Sequence, residues 1–165
     1  YEMEKLQLTQ SILSGQTVTI LVGGISEVAM FEQKQLLENA LSAVCTARET
    51  GILPGGGKSF LLGIPAVKEC IKTLNGDEVR GAQCVLRALQ EPVRTIAENA
   101  GVSGAVVVDT LLSNDQLFYG FDAAAQRYAD LSEHGLLDPA GTIVGALTIA
   151  AETAATILTV EAAVY

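Results

Sequence analysis

The stretch GILPGGGKSF, residues 51–60, holds residue types that cradle phosphates: a glycine run followed by Lys58 and Ser59. Glycine has no Cβ, so a ligand can approach its backbone closely. A phosphate loop of the Walker type needs G-x-x-x-x-G-K-[ST] after a buried strand. Counting back from Gly57, Lys58 and Ser59, the first glycine should stand at position 52, which is Ile52. The preceding EQKQLLENALSAVCTARET is also wrong for a strand. Leu36, Leu37, Ala40, Leu41, Val44 and Ala47 recur at three and four residues, as on one face of a helix. The Walker reading fails on both counts. A close-approach loop for a ligand and a plain helix-to-helix turn both remain open. Other chemistry has little material. His134 is the only histidine, so a histidine-based metal cluster or catalytic triad has almost no material. Cys45, Cys70 and Cys84 show no C-x-x-C spacing and are expected to be buried thiols in a reducing compartment.

The elements that must position these residues come from a chain of 165 residues, enough for one domain or slightly more. Its apolar fraction is 49%, with 5% aromatics and no tryptophan, which implies an aliphatic core of packed helices. A net charge of −9 argues against binding to nucleic acid or an anionic membrane through a basic surface. No membrane span is expected, because the most apolar run, 143–160, is interrupted by Thr148, Glu152, Thr153 and Thr156. The start, YEMEKLQL, has no signal-peptide core and no initiating Met, and is expected to be a cut from a longer chain.

The pattern predicts a mainly α protein with short strands near both ends. A helix over 2–14 should close at Gly15, followed by a β-branched strand at 17–24. Ser26 should cap a long helix reaching Thr50. Beyond the glycine turn, helices are expected over 57–74 (interrupted near Pro65), from an Asp77 cap to Glu91, after Pro92 to Gly101, and over 103–113. LFYGFDAAAQRY, 117–128, reads as a small hairpin or an irregular excursion, GLLDP as a short extended piece, 140–158 as a long helix and VEAAVY as a candidate edge strand.

Taken together, TVTILVGGISEVAM, LLENALSAVCTARETGILPGGG, YGFDAAAQRY and GLLDPAGTIVGALTIAAETAATILTVEAAV resemble, in order and spacing, the C-terminal part of group I chaperonins, the GroEL type. The resemblance implies a divergent paralogue and a multihelical half of an equatorial ATP-binding domain, residues 51–165. Ahead of it, residues 1–50 correspond to the last part of an intermediate domain. It further implies a ring of like subunits that encloses unfolded polypeptides and works with a co-chaperonin lid, in the bacterial cytoplasm or an organelle matrix. The apical domain and the first half of the equatorial domain, with the family's G-D-G-T-T loop and Mg²⁺ site, fall outside this sequence.

Carried over residue by residue, the resemblance places ATP against Gly55 and Gly56. Asp138 in LLDP corresponds to the residue that bonds the ribose; its other reading is the N-cap of the last helix, with Pro139 at the first helical position. Asp122 and Ala123 correspond to the pair at the adenine, where the family usually has Asn, and a backbone role for them is equally open. Leu136 corresponds to an apolar wall of the base pocket or is plain core. Lys58 and Ser59 are incidental. Asn39, in LLENAL, stands where the family has the aspartate that activates the hydrolytic water. A neutral amide cannot serve as that base, so slowed hydrolysis is expected; a solvated helix residue is the other reading. Three functions are therefore in view: a slowed chaperonin, a normally active chaperonin ATPase with another group compensating for Asn39, and a regulatory or structural ring subunit. The 165-residue piece alone is expected to be inactive.

Overall fold

The computed structural model describes residues 18–161, together with Met3, Lys5, Leu6, Thr9, Gln10 and Gly15. It is mainly helical with four short strands among the described residues. Two compact units divide it, residues 1–41 and 42–165, and the division falls inside one continuous helix.

In the first unit, the five described residues of the 2–14 segment are helical, and Gly15 takes the left-handed φ of 66° that a helix-ending glycine favours. The rest of that segment lies outside the described residues. The predicted strand at 17–24 is corrected: Val18–Gly24 forms none. TVTILV has the β-branched composition of a strand, but a strand needs a partner to bond, and among the described residues none lies alongside. Helix α1, Glu27–Thr50, begins as predicted, with the Ala29 N–H donating to Ser26 Oγ at 3.2 Å. Its apolar stripe is not covered: Leu36 is 71% and Val44 67% exposed.

In the second unit, strand β1 (Ile52–Pro54) enters the glycine turn, and short helix α2 (Lys58–Leu61) leaves it. Helix α3 (Ile64–Ile71) follows, with Pro65 in its first turn. The interruption expected near Pro65 in the 57–74 helix thus falls at Leu62 and Gly63, just ahead of that proline. Helix α4 spans Asp77–Ala88. Gly76 rather than Asp77 is its N-cap, and Asp77 pairs with Arg80 at 3.2 Å on the exposed first turn. Helices α5 (Glu91–Asn99) and α6 (Gly104–Leu112) match their predicted spans, with Pro92 at a first-turn position where a missing N–H costs nothing. Strands β2 (Tyr119–Asp122) and β3 (Arg127–Asp130) form the predicted hairpin, and helix α7 covers Ala140–Leu158. Val160 and Glu161 form no strand, and the rest of the expected edge strand lies outside the described residues.

The core joins α2, α5, α6 and the hairpin. Leu61, Val93, Ala97, Val107, Val108, Leu111 and Phe121 are buried together, and each large aliphatic side chain so buried contributes about 1.5–3 kcal/mol. Tyr128 reaches over this cluster from β3, stacked on Tyr119 at 6.0 Å and edge-on to Phe121 at 5.5 Å. The cysteines are a second correction. Cys45, Cys70 and Cys84 are all exposed, so their helices spend them on the surface rather than in the aliphatic core.

Helix α7 touches the rest lightly; only Ile143 is buried. It is long and apolar enough to cross a membrane by length and composition alone, against the expectation that no such run exists. An apolar groove of about 420 Å³ separates it from α4, lined by Val85, Ala88, Leu147 and Ala150 among others. Its N-terminus is held by the end of α1. The Gly141 N–H donates to Thr50 Oγ1 at 2.9 Å, and the Ala140 N–H donates to the Gly51 carbonyl at 3.0 Å. Thr50 thus caps, across 91 residues, a helix with no side-chain cap of its own. Thr50→Val, which keeps the shape and removes the oxygen, should destabilise the chain by about 1 kcal/mol in urea denaturation, and Thr50→Ser should restore most of it. An unchanged midpoint in Thr50→Val would contradict the cap.

Candidate functional site

Strand β1 pairs antiparallel with β4 (Leu137–Pro139), in the register Ile52 to Pro139, Leu53 to Asp138 and Pro54 to Leu137. Three residues are too few to announce a strand by alternation, and this ladder was not legible as such. It nevertheless sets the site. One step past it, the Gly55 N–H donates to the Leu136 carbonyl at 2.9 Å. A Cβ on Gly55 would lie 2.9 Å from that same oxygen, so a larger residue would push the two segments apart. Gly56 is the exposed member of the turn; it holds φ at 60°, and a Cβ there would lie 3.4 Å from the Phe121 carbonyl. The turn therefore touches GLLDP on one side and the hairpin strand carrying Asp122 on the other.

The predicted residues divide by what they do in this arrangement. Asp122 is buried, and its Oδ1 accepts the N–H groups of Ala124 and Ala125, both at 3.0 Å. That oxygen closes the hairpin loop, as aspartate and asparagine commonly do in turns. Ala123 is half-buried and packs on the core. Leu136 is 37% exposed and lies outside the core. Asp138 is half-buried and does not cap α7: Pro139 holds the N-cap position, and Thr50 supplies the oxygen. Among the described residues its carboxylate has no hydrogen-bond partner, and burial pushes its pKa above the usual carboxylate value. A part-buried carboxylate with free acceptor sites beside an exposed leucine suits a ligand that carries hydroxyls next to an apolar ring.

Lys58 and Ser59 turn inward. Ser59 Oγ donates to the Pro54 carbonyl, and Lys58 Nζ donates to the Leu111 carbonyl at 2.9 Å, with both residues buried. Neither presents its polar end to solvent. This tie to α6, 53 residues away, carries no local sequence signal.

Asn39 lies in the first unit, exposed on α1, where its Oδ1 accepts Gln35 Nε2 at 3.3 Å. Among the described residues no group of three or more His, Cys, Asp or Glu could hold a metal ion. With Asp122 Oδ1 committed to its own turn, the second unit offers Mg²⁺ a single half-buried carboxylate, Asp138, which does not fit a site of its own.

Two substitutions probe this surface. Gly56→Ala forces a Cβ onto left-handed backbone and should cost about 1–2 kcal/mol in denaturant unfolding. A cost near zero would mean the turn is free to relax. For Asp138, a folded pKa above the unfolded value means the fold is penalised as pH rises through the carboxylate range. Asp138→Asn should match wild type in acid and become relatively more stable as the wild-type carboxylate ionises. A stability difference that stays flat with pH would contradict the burial of this group.

Residues 1–165 match the sequence profile of the TCP-1/cpn60 chaperonin family. A crystal structure of a group III chaperonin in the open state is similar at a TM-score of 0.80 and 29% identity, over 88% of this chain and 30% of that one. The chain thus spans under a third of the length of that solved relative. A match along the whole sequence, with the fold and the order of its glycine turn, hairpin and GLLDP segment, makes the chain a member of the TCP-1/cpn60 chaperonin family.

Proposed function

We propose that the chain is the C-terminal portion of an ATP-dependent, ring-forming chaperonin subunit that assists protein folding. In this reading residues 51–165 are half of an equatorial nucleotide-binding domain and residues 1–50 the end of an intermediate domain. The observation that carries it is the convergence, inside one compact unit, of Gly55, Gly56, the end of β2 at Phe121, Leu136 and Asp138. Gly56 offers a bare backbone, Leu136 an apolar surface for a base and Asp138 an acceptor for ribose hydroxyls. These are one wall of an adenosine pocket. The opposite wall, with the phosphates and Mg²⁺, would come from a preceding segment. The motifs ETGILPGGG, YGFDAA and GLLDP favour the group I type, and with it a co-chaperonin lid and unfolded polypeptide clients.

Exposed apolar faces support assembly. Val144, Leu147, Ile149 and Ile157 on α7, and Leu36 and Val44 on α1, are large apolar side chains left exposed, as expected of helix faces that meet further protein. Coverage by further parts of the subunit and by neighbouring ring subunits explains the hydropathy of α7 without a membrane.

Asn39 favours a second reading, a divergent ring subunit that regulates or scaffolds rather than cycles. A neutral amide at the position of a water-activating carboxylate removes general-base help of about two to four orders of magnitude. In the full-length protein, single-turnover ATP hydrolysis should be slow and Asn39→Asp should raise it at least tenfold, with nucleotide affinity little changed. Ordinary chaperonin turnover, unaffected by Asn39→Asp, would remove the impaired-hydrolysis reading. Absence of nucleotide binding altogether, with rings still formed, would leave the scaffold reading alone.

A further inference from the structure

A lysine beside a glycine run invites the idea of a phosphate ligand, yet Lys58 is only 4% exposed and its ammonium is already engaged. Its partner, the Leu111 carbonyl, belongs to the last turn of α6, where carbonyls lack a partner within the helix and the dipole is negative. Burial lowers the Lys58 pKa, with Asp115 pulling the other way. A buried amine is costly and persists where it makes a bond the fold requires. Its backbone sits at the end of the turn: the Lys58 N–H donates to the Gly55 carbonyl at 3.1 Å. Gly57 in turn is wedged against Val93 of α5.

We propose that Lys58 is a positioning residue for the nucleotide turn. It tethers the end of the Gly55–Gly57 turn to the C-terminus of α6 from the side away from the ligand, so that the Gly56 backbone is held still where a nucleotide would meet it. The inference rests on the nucleotide reading above. It adds that affinity depends on a side chain that never touches the ligand.

The loss on binding comes from ordering. With the tether, the turn is fixed before the ligand arrives; without it, binding must freeze a mobile glycine segment as well. Lys58→Met keeps the aliphatic length and removes the donor, leaving the Leu111 carbonyl unpaired. In the full-length subunit, Lys58→Met should weaken binding of the fluorescent nucleotide mant-ADP about tenfold, the scale of one buried charge-assisted hydrogen bond. The hydrolysis rate at saturating ATP should stay within about twofold, because nothing at the reacting phosphate changes. Amides of residues 55–59 should exchange faster with deuterium. Val107→Ala, a cavity in the same core away from the turn, is the control. It should lower stability comparably and leave mant-ADP affinity unchanged.

Gly56→Val separates the two claims. If it leaves mant-ADP binding intact, the nucleotide reading and the tether both fall. If it abolishes binding while Lys58→Met behaves like Val107→Ala, only the tether falls. Lys58→Gln, too short to reach the carbonyl, takes over under the same criteria should Lys58→Met not fold.

Discussion

A three-residue ladder, Ile52–Pro54 against Leu137–Pro139, is the constraint on which the second unit depends. It joins segments more than 80 residues apart in sequence, and the bond from Gly55 to Leu136 extends it by one step. Six residues alone are a marginal sheet. This one is reinforced at both ends: Thr50 and Gly51 bind the start of α7 on one side, and Ser59 and Lys58 bind Pro54 and α6 on the other. The glycine turn is therefore a short bridge between two anchored points rather than a free loop.

That bridge explains how a protein with few polar core groups can hold the proposed binding surface in place. The aliphatic cluster of α2, α5, α6 and the hairpin supplies the rigidity, and the polar atoms are spent at its edge. Asp122 is consumed in shaping the loop that follows β2, while Asp138 has no hydrogen-bond partner among the described residues. Two aspartates of the same motif set thus do different work, decided by whether backbone N–H groups lie within reach. The family's usual Asn at the first of these positions would close the same turn, since its carbonyl oxygen accepts as well as a carboxylate oxygen does.

Much of the fold was legible. Long helices α1 and α7 announce themselves through a serine cap and a long alanine-rich run, and the hairpin through aromatics bracketing Gly120. The signatures GILPGGG, YGFDAA and GLLDP marked the candidate site because each is a local phrase. What local phrases cannot carry is pairing over distance. The β1–β4 ladder, the Thr50 cap and the Lys58 tether each join residues at least 53 apart, and none leaves a periodic trace. The segment 17–24 misled for the converse reason: its β propensity is real, but a strand is a property of two partners. The cysteines misled because their usual burial is a statistical habit, and here each sits on an outward face of its helix.

The central claim is that Gly56, Leu136, Asp138 and the strand end at Ala123 form one face of an adenosine pocket. Photolabelling of the full-length protein with 8-azido-ADP, followed by peptide mapping, tests it most directly. The account predicts label on the peptides containing Ala123 or Leu136, competed away by ADP. Competable label confined to peptides outside this unit, with 118–139 unmodified, would contradict it.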